Sequence, residues 1–216
     1  LVHTLPLLAL YSLQRPNNSV PSFLLACMLG VMSAATLANG VLALPILLVY
    51  SVLTRQAGSR IAVLIALSLS CCYFYFYGYR SPGHHGSPLQ QLTEHPLDVL
   101  HYALVYLGSP VHALIGKGSV GLAGAAVCGF LMFVGSLYYL KKALRTRADN
   151  RVTLALLCFI LFIASTAVLT ATGRLVFGVE QAASERYTTP ALMAWSALLV
   201  LLAPKVVTTF GNTIRK

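Results

Sequence analysis

Two arginines, two glutamates and a tyrosine lie in one short polar segment between apolar stretches of the chain: Arg174, Glu180, Glu185, Arg186 and Tyr187. An arginine guanidinium can bind a phosphate through two parallel hydrogen bonds. An aromatic ring beside it can pack on a sugar or an acyl chain. The segment is therefore predicted to bind the anionic headgroup or the saccharide of a substrate. The alternative is that the four charged side chains pair with one another and only hold the segment in place.

Only two carboxylates, Glu94 and Asp98, are candidates for a catalytic acid or base, and otherwise the catalytic residues are unknown from the sequence. Five of the six histidines lie between residues 80 and 118. No pair of them has the i, i+4 spacing of a metal site on a helix, and no H-E-x-x-H motif occurs. We therefore predict no metal site and no cofactor.

The composition indicates whether the chain folds in water or in a membrane. Of the 216 residues, 57% are apolar and 9% are charged, and the mean hydropathy is +0.77. A soluble domain would carry about a quarter charged residues. The fold is therefore predicted to be all-α, a single integral membrane domain over residues 1–216, with the lipid bilayer as its partner. Basic residues outnumber acidic ones by 15 to 5, but their clustering between apolar stretches indicates orientation signals rather than nucleic-acid binding.

The apolar stretches predict a bundle of about six to seven membrane spans. The run 23–54 would be about 48 Å long as one straight helix, against about 30 Å of hydrocarbon. We therefore predict a break near Asn39 and Gly40. The predicted spans are 23–37, 41–54, 61–79, 119–140, 152–172 and 191–207, preceded by the end of another at 1–13. The chain starts inside an apolar run without methionine, which predicts an N-terminally truncated fragment.

The distribution of basic residues predicts the orientation of the bundle. Placing the segments 14–22, 55–60, 141–151 and the tail in the cytoplasm puts 11 basic residues inside and 4 outside, as the positive-inside rule requires. The segments 80–118 and 173–189 are then extracytoplasmic loops. Within the first loop, Leu97–Leu107 is predicted to be a short amphipathic helix lying along the membrane interface.

One span carries small residues at steps of four: Gly121, Ala125 and Gly129. In a membrane, such a face lets two helices approach closely. We therefore predict that the span 119–140 packs tightly against a neighbouring helix along this face.

Two parts of the sequence resemble a known superfamily. The run from Leu24 to Arg55, with its turn at Thr36–Gly40, looks like the paired short helices of polytopic GT-C glycosyltransferases. Glu185-Arg186-Tyr187, shortly before the terminal span, is similar to an Arg-Tyr element in bacterial membrane proteins of this type. The resemblance implies a bacterial inner-membrane enzyme of cell-envelope glycan assembly that uses a polyprenyl-phosphate-linked sugar.

The positions of the acidic residues bear on whether the chain is an enzyme or a non-enzymatic membrane protein. GT-C enzymes generally use an acidic residue of the first extracytoplasmic loop as catalytic base, and this chain has none before Glu94. The base would then be Glu94 or Asp98, or would lie upstream of Leu1. The alternative is a non-enzymatic multi-pass membrane protein, a partner in transport or assembly. The predicted spans hold no charged residue apart from Lys205 near the end of the last one, which disfavours an ion-coupled transporter.

Overall fold

Helices account for nearly all of the structure, a computed structural model that describes residues 2–15, 19–77, 88–116, 118–145 and 150–214. No strand occurs within these ranges. The α-helices are α1 (Thr4–Leu13), α2 (Val20–Thr36), α3 (Ala43–Leu53), α4 (Gly58–Phe76), α5 (Pro88–Glu94), α6 (Pro96–Leu107), α7 (Ser109–Ile115), α8 (Ser119–Arg145), α9 (Arg151–Arg174) and α10 (Glu185–Ile214). Short 3₁₀ turns are formed by Ala38–Leu42, Leu175–Phe177 and Val179–Ala183.

Four of these helices, α4, α8, α9 and α10, are long and apolar enough to cross a membrane. The prediction of six to seven spans was therefore too high for the part of the chain that the structure describes. The difference arises in the first third of the chain, where α1, α2 and α3 have only 10, 17 and 11 residues. An apolar run counts as a span in the sequence, whereas the folded chain divides the same run into short helices.

The predicted break near Asn39 is confirmed. Leu37 is extended, with φ −159° and ψ 156°, and the 3₁₀ turn that follows leads into α3. At Gly40, a Cβ atom would meet the backbone carbonyl of Ser33, so that only glycine lets the chain fold back this closely. Asn39 Nδ2 donates to Thr170 Oγ1 at 3.4 Å, which ties the turn to α9. The turn therefore separates two helices of opposite direction.

The helices α6 and α7 form a hairpin that enters the bundle and returns. At the start of the hairpin, α6 contacts the 3₁₀ turn Val179–Ala183, and at its end Gly116 lies against Gly121 in the first turn of α8. Its tip is deeper, because Leu107 shares an apolar groove with Met132 and Ile160 near the middle of α8 and α9. Non-helical backbone at such depth requires protein partners.

The position of α6 corrects the predicted interfacial helix. The helix forms over nearly the predicted residues, but it packs inside the bundle against α8 and α9. Tyr102 and Tyr106 on its buried face are 0% and 1% exposed. By contrast, Leu97 and Leu100, which the sequence placed on the apolar face, are exposed. The apolar residues of this helix lie on both sides, and its tertiary contacts decide which side is buried.

The small-residue face of α8 receives the tip of this hairpin, as predicted. A Cβ atom at Gly129 would meet the carbonyl oxygen of Leu104, and a Cβ atom at Gly108 would meet that of Ala125. The two backbones therefore touch without intervening side chains. The indole Nε1 of Trp195 donates to the carbonyl oxygen of Leu107 at 3.0 Å, which satisfies a carbonyl at the end of α6. Backbone contact and this hydrogen bond together fix the tip.

The bundle has two chemically different ends. One, the basic end, contains the end of α1, the segment Thr54–Arg60 and the start of α9, whose side chains line one cavity. The other, the loop end, contains the segment Leu175–Ser184, the start of α10 and the start of α6. The structure thus groups the segments as the charge count required. Which end faces the cytoplasm stays a prediction.

Cysteine labelling tests this orientation. In a chain whose five native cysteines are replaced, we expect a membrane-impermeant maleimide on intact cells to label Thr93→Cys at the loop end but not Ser59→Cys at the basic end. Both positions are exposed, so that burial does not protect either one. Labelling of both positions after the membrane is permeabilised is the control. Labelling of position 59 alone on intact cells would show that the bundle is inverted.

Candidate functional site

The polar segment at the loop end is more helical than predicted. After α9 ends at Arg174, two 3₁₀ turns follow, separated by Gly178 with φ +90°. The last span was predicted over 191–207, after Pro190, but α10 begins at Glu185. Ser184 has the extended backbone of a helix N-cap, with φ −65° and ψ 147°, and Glu185 places a negative charge in the first turn. These two residues start the helix before the proline.

The predicted charged residues are not paired with one another. Arg174 is half-buried, whereas Glu180, Glu185 and Arg186 are exposed. Among the residues covered by the structure, no ion pair within 4.0 Å joins either arginine to either glutamate. The alternative that mutual ion pairs pin this segment is therefore not what the structure shows. Both guanidinium groups lie at the loop end without a carboxylate in contact.

Arg186 is held in place by neutral groups. Its Nε donates to Ser184 Oγ at 3.3 Å, and its guanidinium carbon lies 5.0 Å from the centre of the Tyr187 ring. A cation over an aromatic face at this distance is attracted to the ring without losing its charge. The arginine is therefore oriented while its charge remains available to an anion.

Beneath the arginines lie three aromatic rings from two helices. Tyr187 is 8% exposed, and its ring centre lies 4.7 Å from that of Tyr106 on α6. The hydroxyl groups of Tyr102 and Tyr187 are buried close to each other, and in the described part of the chain neither has a hydrogen-bond partner outside this pair. We call Tyr102, Tyr106, Arg174, Arg186 and Tyr187 the tyrosine–arginine cluster.

The pKa of Tyr102 responds both to the other tyrosine and to the arginines of the cluster. Burial raises the pKa of the Tyr102 phenol, and the neighbouring Tyr187 raises it further, whereas the guanidinium groups of Arg174 and Arg186 act in the opposite direction. Both arginine charges are therefore close enough to act on the Tyr102 oxygen. Because the phenol stays protonated at neutral pH, it can donate a hydrogen bond to a ligand.

Sequence reasoning missed Tyr102 and Tyr106. They are four residues apart and lie on the same face of α6, so that the i, i+4 spacing was a usable signal. It was overlooked because the leucines of the same helix suggested a different apolar face. Their proximity to Tyr187 depends on the hairpin entering the bundle, which no local pattern shows.

The two candidate catalytic carboxylates lie outside the cluster contacts. Glu94, at the end of α5, accepts a hydrogen bond from Gln90 Nε2 at 3.0 Å. Asp98, in the first turn of α6, lies 3.5 Å from Nδ1 of His95, and both side chains are more than half exposed. Within the part of the chain that the structure describes, no hydrogen bond or ion pair links either carboxylate to the arginines.

The histidine-rich segment is covered only in part. His84 and His85 lie outside the described residues. Among the residues that are described, no group of three His, Cys, Asp or Glu side chains could hold a metal ion. The cluster therefore offers hydrogen-bond donors and positive charge as its chemistry.

No protein-family model matches the sequence, and comparisons with curated proteins and with solved structures give no match either. The fold therefore defines the class: an integral membrane protein with four helices long and apolar enough to cross a bilayer. Anything finer about its function depends on the chemistry of the cluster.

Proposed function

We propose that this integral membrane protein binds a polyprenyl-phosphate-linked sugar at the tyrosine–arginine cluster. The observation that carries the proposal is the combination, among the described residues, of two arginines without a carboxylate partner and two buried phenol groups that have no hydrogen-bond partner beyond each other. Buried polar groups in folded proteins are almost always hydrogen-bonded. A ligand rich in acceptor oxygen atoms would satisfy both features at once.

Each part of such a ligand has a matching group. The guanidinium groups of Arg174 and Arg186 can bind the phosphate. The hydroxyl groups of Tyr102 and Tyr187 can donate to sugar oxygens. A prenyl chain would extend along the apolar surface of the spans, where exposed leucines and phenylalanines are numerous. The ligand would thus lie at the interface, with its polar part at the loop end.

The enzymatic form of this proposal is a lipid-linked-sugar-dependent glycosyltransferase of the bacterial inner membrane, acting in cell-envelope glycan assembly. It is supported by the resemblance to GT-C enzymes and by the loop-end position of Glu94 and Asp98. The alternative is a non-enzymatic membrane protein that binds the same ligand for transport or assembly. Both carboxylates are exposed, and in the described part of the chain neither forms a hydrogen bond or an ion pair with a cluster residue, which favours this second function.

Removal of one buried hydroxyl group tests the proposed site. We expect Tyr102→Phe to weaken binding of a short-chain prenyl phosphate sugar by about tenfold, the effect of one lost hydrogen bond to a charged or strongly polar ligand. Binding can be followed through Trp195, the one tryptophan of the chain, whose indole is bonded to the end of α6. The thermal stability of the variant should change little, because the hydroxyl group that is removed has no hydrogen-bond partner outside the Tyr102–Tyr187 pair.

A second tyrosine provides the matched control. Tyr139 on α8 is also a buried tyrosine, but it does not belong to the cluster. Tyr139→Phe should therefore leave binding unchanged. Equal binding by the wild-type protein, Tyr102→Phe and Tyr139→Phe would refute the proposed site. Binding without release or transfer of the sugar would favour the non-enzymatic alternative.

A further inference from the structure

An apolar groove runs along the outer surface of the bundle between α3, α8 and α9. It has a volume of about 330 Å³. Each of the three helices contributes an exposed side chain to its walls: Val49 of α3, Leu137 of α8 and Leu161 of α9. Because α8 and α9 are long and apolar enough to cross a bilayer, the groove opens toward lipid rather than toward water.

The lining of the groove offers a ligand no free polar group. Thirteen of the fourteen described residues that line it have hydrocarbon or sulfur-containing side chains. The one hydroxyl group, on Ser136, donates to the carbonyl oxygen of Met132 at 2.8 Å. A water molecule in a cavity needs about two to four polar partners. The groove is therefore suited to a hydrocarbon ligand.

The length of the groove matches one leaflet of a bilayer. Leu107, at the tip of the α6–α7 hairpin, lines its inner end. Along α8 the lining extends from Met132 to Leu144, which corresponds to about 18 Å of helix. One leaflet contributes about 15 Å to a hydrocarbon core of about 30 Å. A hydrocarbon chain that enters from the basic end would therefore reach the hairpin tip near the middle of the membrane.

The walls of the groove favour a flexible chain over another helix. Membrane helices approach each other closely where small residues separate their backbones. The small-residue face of α8 already lies against the hairpin, whereas its groove side carries Phe133, Leu137 and Leu140. These side chains would hold a helix, which is about 10 Å wide, at the rim. An acyl chain can lie between them.

Two cations follow the groove on α8. Lys141 and Arg145 each come directly after a leucine that lines it, and both side chains are exposed. Asn150 Nδ2 donates to the carbonyl oxygen of Ala143 at 3.1 Å, which places this end of α8 beside the start of α9, at the basic end. The apolar wall thus ends in two positive charges at the level of the lipid headgroups.

The described acidic residues lie at the opposite end of the bundle. Glu94, Asp98, Glu180 and Glu185 belong to the loop end, and Asp149 lies outside the described residues. Within the described ranges, no carboxylate forms an ion pair with Lys141 or Arg145. A negatively charged headgroup would therefore be attracted to this end of the groove.

We propose that the groove holds one acyl chain of an anionic phospholipid, whose phosphate lies beside Lys141 and Arg145. The groove accounts for the chain, and the two cations account for the charge of the headgroup. The lipid belongs to the leaflet at the basic end, whereas the tyrosine–arginine cluster is at the loop end. The site is therefore independent of the proposed sugar-lipid site.

Lipid retention measures this site in the wild-type protein. The full chain is placed in nanodiscs of phosphatidylcholine with a small fraction of phosphatidylglycerol, and the lipids that stay bound after transfer to detergent are counted by native mass spectrometry. We expect one retained phosphatidylglycerol. With phosphatidylglycerols of increasing chain length, retention should rise until the chain fills about 18 Å and then stay constant.

Two variants separate the groove from the cations. Ala164→Phe should fill the inner end of the groove, where Ala164 is partly exposed, and lower lipid retention about tenfold by excluding roughly two methylene groups. Lys141→Gln combined with Arg145→Gln should keep a lipid in the groove but reduce the preference for phosphatidylglycerol over phosphatidylcholine about tenfold.

Each variant has a matched control. Ala66→Phe adds the same ring at an exposed position of α4, and Arg15→Gln removes an exposed charge just after α1. Both should retain lipid as the wild-type protein does. A lower melting temperature of Ala164→Phe would show that the ring disturbs the fold, and the chain-length series, which needs no variant, then decides the question.

Several results would overturn the proposal. The wild-type protein could retain both lipids equally, or retain phosphatidylglycerol equally at every chain length. The double charge variant could keep the full preference for phosphatidylglycerol, or Ala66→Phe could lose as much lipid as Ala164→Phe. A stable dimer without bound lipid would show that a helix of a second copy covers the groove instead.

Discussion

Alanine at Gly129 is expected to lower the free energy of unfolding by about 3 kcal/mol, the upper range for overpacking of a close contact. The added Cβ atom would meet the backbone carbonyl of Leu104. A backbone atom cannot rotate away as the end of a flexible side chain can, so α6 would have to move as a whole. Thermal unfolding in detergent, followed by size-exclusion chromatography, measures the loss.

Gly135 on the same helix provides the control. A Cβ atom there would lie 3.5 Å from Leu198 Cδ2, an ordinary van der Waals distance. Because alanine favours a helix over glycine by about 1 kcal/mol, Gly135→Ala should be neutral or stabilising. Similar melting temperatures for the two variants would show that α6 does not touch α8 at Gly129.

For Arg186, we expect lysine to impair ligand binding nearly as much as alanine, each by about tenfold or more. Lysine keeps the positive charge but has no planar fork to hold a phosphate through two hydrogen bonds. The membrane insertion and abundance of both variants should remain normal, because the contacts of this side chain in the described part of the chain are with Ser184 and the Tyr187 ring, near the surface. Binding of the prenyl phosphate sugar, protein abundance and the surface-glycan profile of the cells are measured together.

Glu185→Ala is the comparison for this prediction. If Arg186 had a structural role in this segment, both Arg186→Ala and Glu185→Ala would lower protein abundance or melting temperature to a similar degree. If Arg186 binds ligand, Arg186→Ala changes binding at normal abundance. Unchanged binding and unchanged glycans at normal abundance in Arg186→Lys, Arg186→Ala and Glu185→Ala would refute the role of this segment in the site.

The sequence predicted those parts of the fold that depend on local patterns. The break near Asn39 follows from the length of an apolar run and a turn-forming residue pair, and the close packing at Gly129 follows from residue spacing. The number of spans and the position of α6 were wrong because both depend on tertiary contacts. An apolar segment of 12 residues can lie on a membrane or inside a bundle, and hydropathy does not distinguish the two.

The candidate site was predictable to a similar extent. Arg174, Arg186 and Tyr187 were found because charged residues are rare in this chain and these lie close together in sequence. Tyr102 belongs to the same cluster only through the hairpin, more than 70 residues away in sequence.

The hairpin also has a consequence for the order in which the protein is made. Its tip is held by Trp195 and lies on α8, both of which emerge from the ribosome after α6. With 12 residues, α6 would be about 18 Å long and too short to cross the bilayer by itself. Its tip therefore cannot complete these contacts until α8 and α10 have been synthesised. The hairpin docks after the helices that hold it, and a nascent chain released before α10 would lack the hydrogen bond that closes the tip.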